Sequence, residues 1–155
     1  MEKVTIEAVD ARMSAADVRR ELSKPLGAVN VAVNYYELAP DESFAFGYHA
    51  HEEQEEVFYV QSGTATFETD DGEVTVEAGE VVRFGPGEFQ RGVNEGDERV
   101  VALAIGAPRE SDLVEMRREC PDCGERTPNT IEMTEDRDAL VTLCIECGAE
   151  TGRFD

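Results

Sequence analysis

The chain has 155 residues, 41% of them hydrophobic, and a formal net charge of −21 from 35 acidic and 14 basic side chains. That charge excludes a function built on gripping phosphate backbones, so nucleic acid is not an expected partner. No apolar run approaches the ~20 residues a membrane helix needs, and the N-terminus M-E-K-V-T-I-E-A-V-D lacks a signal-peptide core, which predicts a cytoplasmic protein with no membrane partner. Only Lys3 and Lys24 are lysines. A lysine-poor, acid-flooded sequence that still has apolar strand runs is not disordered, and its composition is halophile-like.

Residues 2–9 alternate well enough to predict a first strand. Ser14 then precedes A-A-D-V-R-R-E-L, with Asp17 three residues on, a capping-box pattern that predicts a short helix ended by Pro25 and Gly27. From there strand patterns dominate: 29–38, 43–51, 57–60, 64–69, 73–78, 81–84, the segment after Gly87, and 99–106. Short alternating runs divided by Gly-rich turns predict an all-β barrel or sandwich with one short N-terminal helix. Near Pro108 this pattern stops. A β-barrel over residues 1–110 and a separate small unit over 111–155 are the expected domains.

The two histidines of the chain, His49 and His51, are one residue apart in G-Y-H-A-H-E-E-Q-E-E-V-F-Y-V-Q-S-G. Residues two apart on a strand share a face, so both imidazoles enter one space. If the strand opened by Glu56 is its neighbour, His49, His51 and Glu56 converge on one ion. Two imidazoles and a carboxylate with open positions suit a divalent first-row metal such as Mn, Fe, Ni or Zn. Glu52, Glu53 and Glu55 are assigned to the solvated loop. Glu56 is preferred to Glu55 because six residues separate it from Gly63 and because it shares inward parity with Phe58 and Val60.

Residues 28–106 resemble a single-domain cupin, a jelly-roll β-barrel family. The first cupin motif falls on His49, His51, Glu56 and Gly63, with its leading glycine displaced to Gly47. The second falls on Gly79, Gly85-Pro86-Gly87, Gln90 and Asn94. The resemblance implies four metal ligands, and three carry over to His49, His51 and Glu56. The fourth, a histidine in the family, is Gln90 here. Its amide is a weak donor, which leaves three readings: a weak ligand, a hydrogen-bond partner orienting a ligand or bound water, or the mark of a site that has lost its metal. The resemblance also implies a homodimer.

Phe44, Phe46, Phe67, Phe84 and Phe89 are read as core or barrel wall, and Arg83 and Arg91 as surface. One of Tyr35 and Tyr36 faces the interior, and register does not decide which. There is no nucleophile triad, P-loop or dinucleotide fingerprint, so catalytic residues stay unassigned. Cys120, Cys123, Cys144 and Cys147 form two C-x-x-C pairs, each followed by glycine (Gly124 and Gly148), with the spacing of a structural four-thiolate zinc site. The tail resembles a zinc ribbon. With twelve acidic residues against five arginines in 111–155, it is expected to stabilise or to make protein contacts rather than bind nucleic acid.

Three functions fit this pattern. One is a metal-dependent enzyme, isomerase or dioxygenase, acting on a small polar metabolite. Another is a non-catalytic small-molecule-binding or sensing module whose ribbon mediates protein contacts. The third is a structural or assembly protein held by zinc, with an empty barrel.

Overall fold

The alternating patterns become thirteen strands in a computed structural model that describes residues 1–155. In chain order these are β1 (Val18–Glu21), β2 (Ala32–Leu38), β3 (Tyr48–His51), β4 (Glu55–Ser62), β5 (Thr64–Thr69), β6 (Gly72–Glu77), β7 (Val81–Phe84), β8 (Gln90–Val93), β9 (Val100–Ala107), β10 (Leu113–Cys120), β11 (Glu125–Met133), β12 (Leu140–Cys144) and β13 (Glu150–Phe154). A five-stranded sheet, β1-β2-β9-β4-β7, faces an eight-stranded one, β13-β12-β11-β10-β3-β8-β5-β6. Inward residues of both sheets meet in one core that includes Leu38, Phe44, Phe58, Val60, Phe67 and Phe84. Phe58 and Phe67 pack with ring centroids 5.0 Å apart, and Phe44 lies 5.1 Å from Phe58. Truncating a buried ring of this kind costs about 3–5 kcal/mol. No helix is long and apolar enough to cross a membrane.

The N-terminal expectations fail in an instructive way. Instead of a strand over 2–9 there is only a 3₁₀ turn, Ile6–Ala8, none of whose residues is buried. The expected helix after Ser14 is absent. The Ser14 hydroxyl accepts from the Ala16 amide at 3.1 Å and donates to the Ala16 carbonyl at 3.0 Å, a local turn in place of a helix cap. Val18–Glu21 is then drawn into the sheet against β2, with Arg19 opposite Tyr36 and Glu21 opposite Asn34. Sheet pairing supplies backbone partners that outweigh weak local helix preference.

Strand β3 is shorter than its sequence pattern, because residues 44–47 leave the ladder. Gly47 is held there by close approach: a Cβ on it would sit 2.8 Å from the Arg117 carbonyl. Asn94, fully buried, donates to the Leu38 carbonyl at 3.1 Å and the Glu98 carbonyl at 2.8 Å, tying two turns together.

The C-terminal strands continue the barrel's larger sheet. β10 pairs with β3, Met116 opposite His49, and on its other edge with β11. Phe46 meets Phe154 edge-on at 4.8 Å, and the Arg118 guanidinium lies over Phe154 while donating to the Phe46 carbonyl. The four cysteines gather at the far end of these strands, Cys120 and Cys147 sulfurs 3.5 Å apart and Cys123 and Cys144 sulfurs 3.9 Å apart. They are free thiols that could hold one ion.

Candidate metal centre

His49 and His51 project from β3 on one face, as their spacing requires. Glu56 does not come from a strand paired with β3. β4 lies in the opposite sheet, so the convergence is across the sandwich, with Glu52–Gln54 carrying the chain from one sheet to the other. His51 Nε2 is 3.5 Å and His49 Nε2 4.0 Å from Glu56 Oε2. The imidazoles stand edge to face, 5.2 Å apart and 89° inclined. Glu55 points the other way, into an exposed ion pair with Arg83 at 2.6 Å. This parity separates the two neighbouring glutamates.

His49 is fixed by its second ring nitrogen. Nδ1 lies 2.9 Å from the Gly47 carbonyl, so Nδ1 donates and Nε2 keeps its lone pair for the centre. Burial holds the His49 imidazole below its ordinary pKa, against the opposing pull of that carbonyl and of Glu56. A neutral imidazole is the form that binds a metal.

Gln90 is opposite His49 in the β3–β8 pairing and shares its face. Its amide nitrogen donates to Glu56 Oε2 at 3.1 Å and lies 3.4 Å from His49 Nε2, while its Oε1 is buried without a partner. A half-turn of the amide would bring that oxygen to the centre. The donor atoms of His49, His51 and Glu56 lie within 4.8 Å of one another. Ligands about 2.1 Å from a first-row ion sit roughly 3–4 Å apart, so the donor set fits such an ion. The orphaned Gln90 oxygen is what a fourth donor to that ion would supply. Gly87, at φ +78°, donates its amide to the His51 carbonyl at 2.8 Å, so the Gly-Pro-Gly turn braces the metal-binding strand.

Above the three ligands opens a cavity of about 510 Å³. Its walls combine β1 and β2 (Arg19, Asn34, Tyr36), Phe44 and Phe58, and the C-terminal strands through Leu113, Met116 and Ile131. Tyr36 is the inward tyrosine, 8% exposed, and Tyr35 turns outward to donate to Glu37 at 3.0 Å. Burial raises the Tyr36 phenol pKa; Arg19 lowers it and Glu56 raises it. Gln54 was hidden in the loop read as solvated. It is buried, donates to the Pro108 carbonyl at 2.7 Å, and fills the space over Gly106, where a Cβ would meet it at 2.6 Å. It thus pins the 108–112 connection at the cavity rim. Arg19 was missed because its segment was read as helix. Arg83 is exposed as expected, whereas Arg91 is half-buried, its Nε without a partner.

At the cysteine cluster, the Thr127 hydroxyl lies 3.1 Å from Cys144 Sγ. Its hydrogen bond draws that thiol down to about 6, favouring the thiolate a metal needs. Gly124 and Gly148 take φ of +72° and +79° to turn the chain after each pair.

Comparison with known proteins gives a match to the cupin domain family over residues 34–106. Among solved structures, a sugar phosphate isomerase of the cupin superfamily from Silicibacter pomeroyi is 23% identical with a TM-score of 0.62, the alignment covering 96% of this chain and 91% of that one. A protein described as a sugar phosphate isomerase from Acidithiobacillus ferrooxidans is 18% identical, TM-score 0.61, over 94% of this chain and 93% of that one. The polyketide cyclase RemF from Streptomyces resistomycificus is 26% identical, TM-score 0.60, over 73% and 83%. No curated protein matches the sequence.

Proposed function

Residues 34–106 are a cupin domain, and from that premise we propose that the protein is a metal-dependent enzyme isomerising a small polar metabolite. The observation that carries this is the convergence of His49, His51 and Glu56 at one end of a 510 Å³ cavity. A bound divalent ion would supply Lewis-acid polarisation of a substrate carbonyl or hydroxyl. The chain's own part is to hold that ion on three donors, to keep His49 neutral and correctly turned through Gly47, and to shield the centre with Phe44, Phe58 and Met116. Isomerisation of a hydroxy-carbonyl compound moves one proton between adjacent carbons and one between their oxygens, with no net oxidation and no redox co-substrate. Similarity to two structures described as sugar phosphate isomerases, each aligned over nearly the full chain, supports that class over dioxygenation.

The test is deuterium wash-in. Mn²⁺- or Zn²⁺-loaded protein is incubated in D₂O with a panel of aldose and ketose phosphates and followed by NMR. Exchange at the carbon beside the carbonyl, abolished in His51→Ala, is the expected result. Oxygen uptake instead would move the reading to a dioxygenase. A second reading, a binding or sensing module, is favoured by Gln90, whose neutral amide replaces a histidine and is tied to Glu56. Ligand-induced stabilisation with no exchange and no turnover would select it.

We further propose a homodimer, formed through the outer face of the five-stranded sheet. Tyr35, Leu103, Tyr59 and Val81 lie in one cross-strand row, flanked by Val33, Ile105 and Val57, and Tyr59, Val81 and Ile105 are exposed. Light scattering in high salt should give twice the chain mass, falling to one chain in Tyr59→Glu. A monomeric wild type would exclude it.

A further inference from the structure

Arg19 is the arginine on the cavity wall that lacks a carboxylate partner. In a chain with 35 acidic side chains it has no carboxylate partner. Arg83, Arg99, Arg109, Arg117, Arg126 and Arg153 each hold at least one; Arg12, Arg20, Arg91, Arg118 and Arg137 hold none either, but they do not line the cavity. The Arg19 guanidinium makes a long hydrogen bond, Nη2 to Asn34 Oδ1 at 3.4 Å, lies close enough to the Tyr36 phenol to lower its pKa, and keeps its Nε buried with no hydrogen-bond partner. A guanidinium presents five donors in a rigid fork matched to carboxylate and phosphate, and leaving a buried donor unmade is costly. The second arginine on the cavity, Arg109, is already occupied: it donates to the Ala28 carbonyl at 2.7 Å and to Glu21 at 3.2 Å.

The placement gives those unused donors a direction. Arg19 lines the same cavity as His49, His51 and Glu56, and stands opposite Tyr36 in the β1–β2 pairing. Tyr36 and Glu56 line the cavity together with Arg19. The remaining charged lining is acidic, Glu110 and Asp112 on the rim connection, and repels an anion from that side. The cavity therefore offers both a cation with free donors and the ligands of a metal.

We propose that Arg19 anchors the anionic group, carboxylate or phosphate, of a small hydroxylated substrate whose hydroxyl or carbonyl oxygens face His49, His51 and Glu56. This rests on the metal-dependent reading above and adds the substrate class: a hydroxylated anion, with neutral polyols rejected. Arg19 is the residue that sets this selectivity.

The experiment measures binding of glycerate, glycerol 3-phosphate and glycerol by calorimetry to Mn²⁺-loaded wild type, Arg19→Gln, Arg19→Lys and His51→Ala. Wild type should bind one or both anions and not glycerol, and the two anions distinguish carboxylate from phosphate. Because Arg19→Gln removes charge-assisted hydrogen bonds, it should weaken anion binding at least ~10-fold. Its metal content and melting temperature should stay unchanged, and Arg19→Lys should recover part of the loss. The proposal is overturned if glycerol binds as well as the anions, if neither anion binds wild type at 10-millimolar order, or if Arg19→Gln binds them like wild type. Metal analysis of the same samples separates the two readings. Arg19-dependent anion binding without a barrel ion would sink the metal-dependent reading, while a barrel ion with Arg19-independent binding would sink this one.

Discussion

The two candidate metal centres of this chain are built on opposite plans. The cysteine cluster draws four like donors from two tight turns at the end of the C-terminal strands, and they close on one another. The barrel centre draws three unlike donors from two facing sheets and leaves a cavity in front of them. A closed four-thiolate set suits a structural ion, whereas an open set leaves coordination positions for a ligand. The two are mechanically joined, because β10 runs from Leu113 and Met116 on the cavity wall to Cys120 in the cluster. The lesson is a division of labour: one site holds the wall that the other site uses.

This contrast can be broken most forcefully at the closed site. Cys120→Ser should cost one zinc per chain, release the C-terminal strands to protease and lower the melting temperature by more than ~10 °C, since structural zinc contributes folding energy outright. A variant that keeps its melting temperature would show the cluster to be dispensable. At the open site, His51→Ala should remove the barrel ion and abolish deuterium exchange while the ribbon zinc and the fold persist, as read by metal analysis and circular dichroism. Loss of both ions together would mean the sites are not independent.

Smaller changes sharpen the comparison. Gln90→His should tighten barrel-metal binding by roughly 10–100-fold in competition titrations, and Gln90→Ala should weaken it, because imidazole is a far better donor than an amide. Equal affinities in all three proteins would exclude Gln90 from the centre. Gly47→Ala should destabilise by about 1–3 kcal/mol in urea melts, since its Cβ meets the Arg117 carbonyl at 2.8 Å. The smallest effect is expected from Thr127→Val. The hydroxyl lowers the Cys144 thiol to about 6, so its thiolate is favoured above that pH and lost as pH falls through it. Without the hydroxyl the thiol returns toward its ordinary value, and zinc release during acid titration should begin at a higher pH. An unchanged release curve would remove Thr127 from the account.

Much of the molecule was legible in the residues because the signals were local. Alternation at 64–69 and 73–78 with D-D-G between them is a hairpin whatever surrounds it, and β5 and β6 pair there. The C-x-x-C pairs with their glycines state their own turn geometry. The inward choice of Glu56 over Glu55 needed only its spacing to Gly63 and strand parity, both local. Parity failed where the tertiary fold outbid local preference: Ser14 to Glu21 has a helix's cap and composition, and the open edge of β2 made Val18–Glu21 a strand. Gln54 was illegible for a related reason, since a polar residue among glutamates has no apolar pattern and only the 108–112 connection above it makes it buried.

By itself, then, the sequence determined an all-β chain, its two histidines on one strand face, the inward glutamate that joins them and a four-cysteine end, because periods of two and fixed spacings survive any packing. Only the tertiary structure decided that β3 and β4 belong to opposite sheets, that Gln90 sits opposite His49, that Tyr36 and not Tyr35 faces inward, and that Arg19 enters the cavity. Each of these depends on which strand lies beside or across from which, a relation between distant residues that no local pattern encodes.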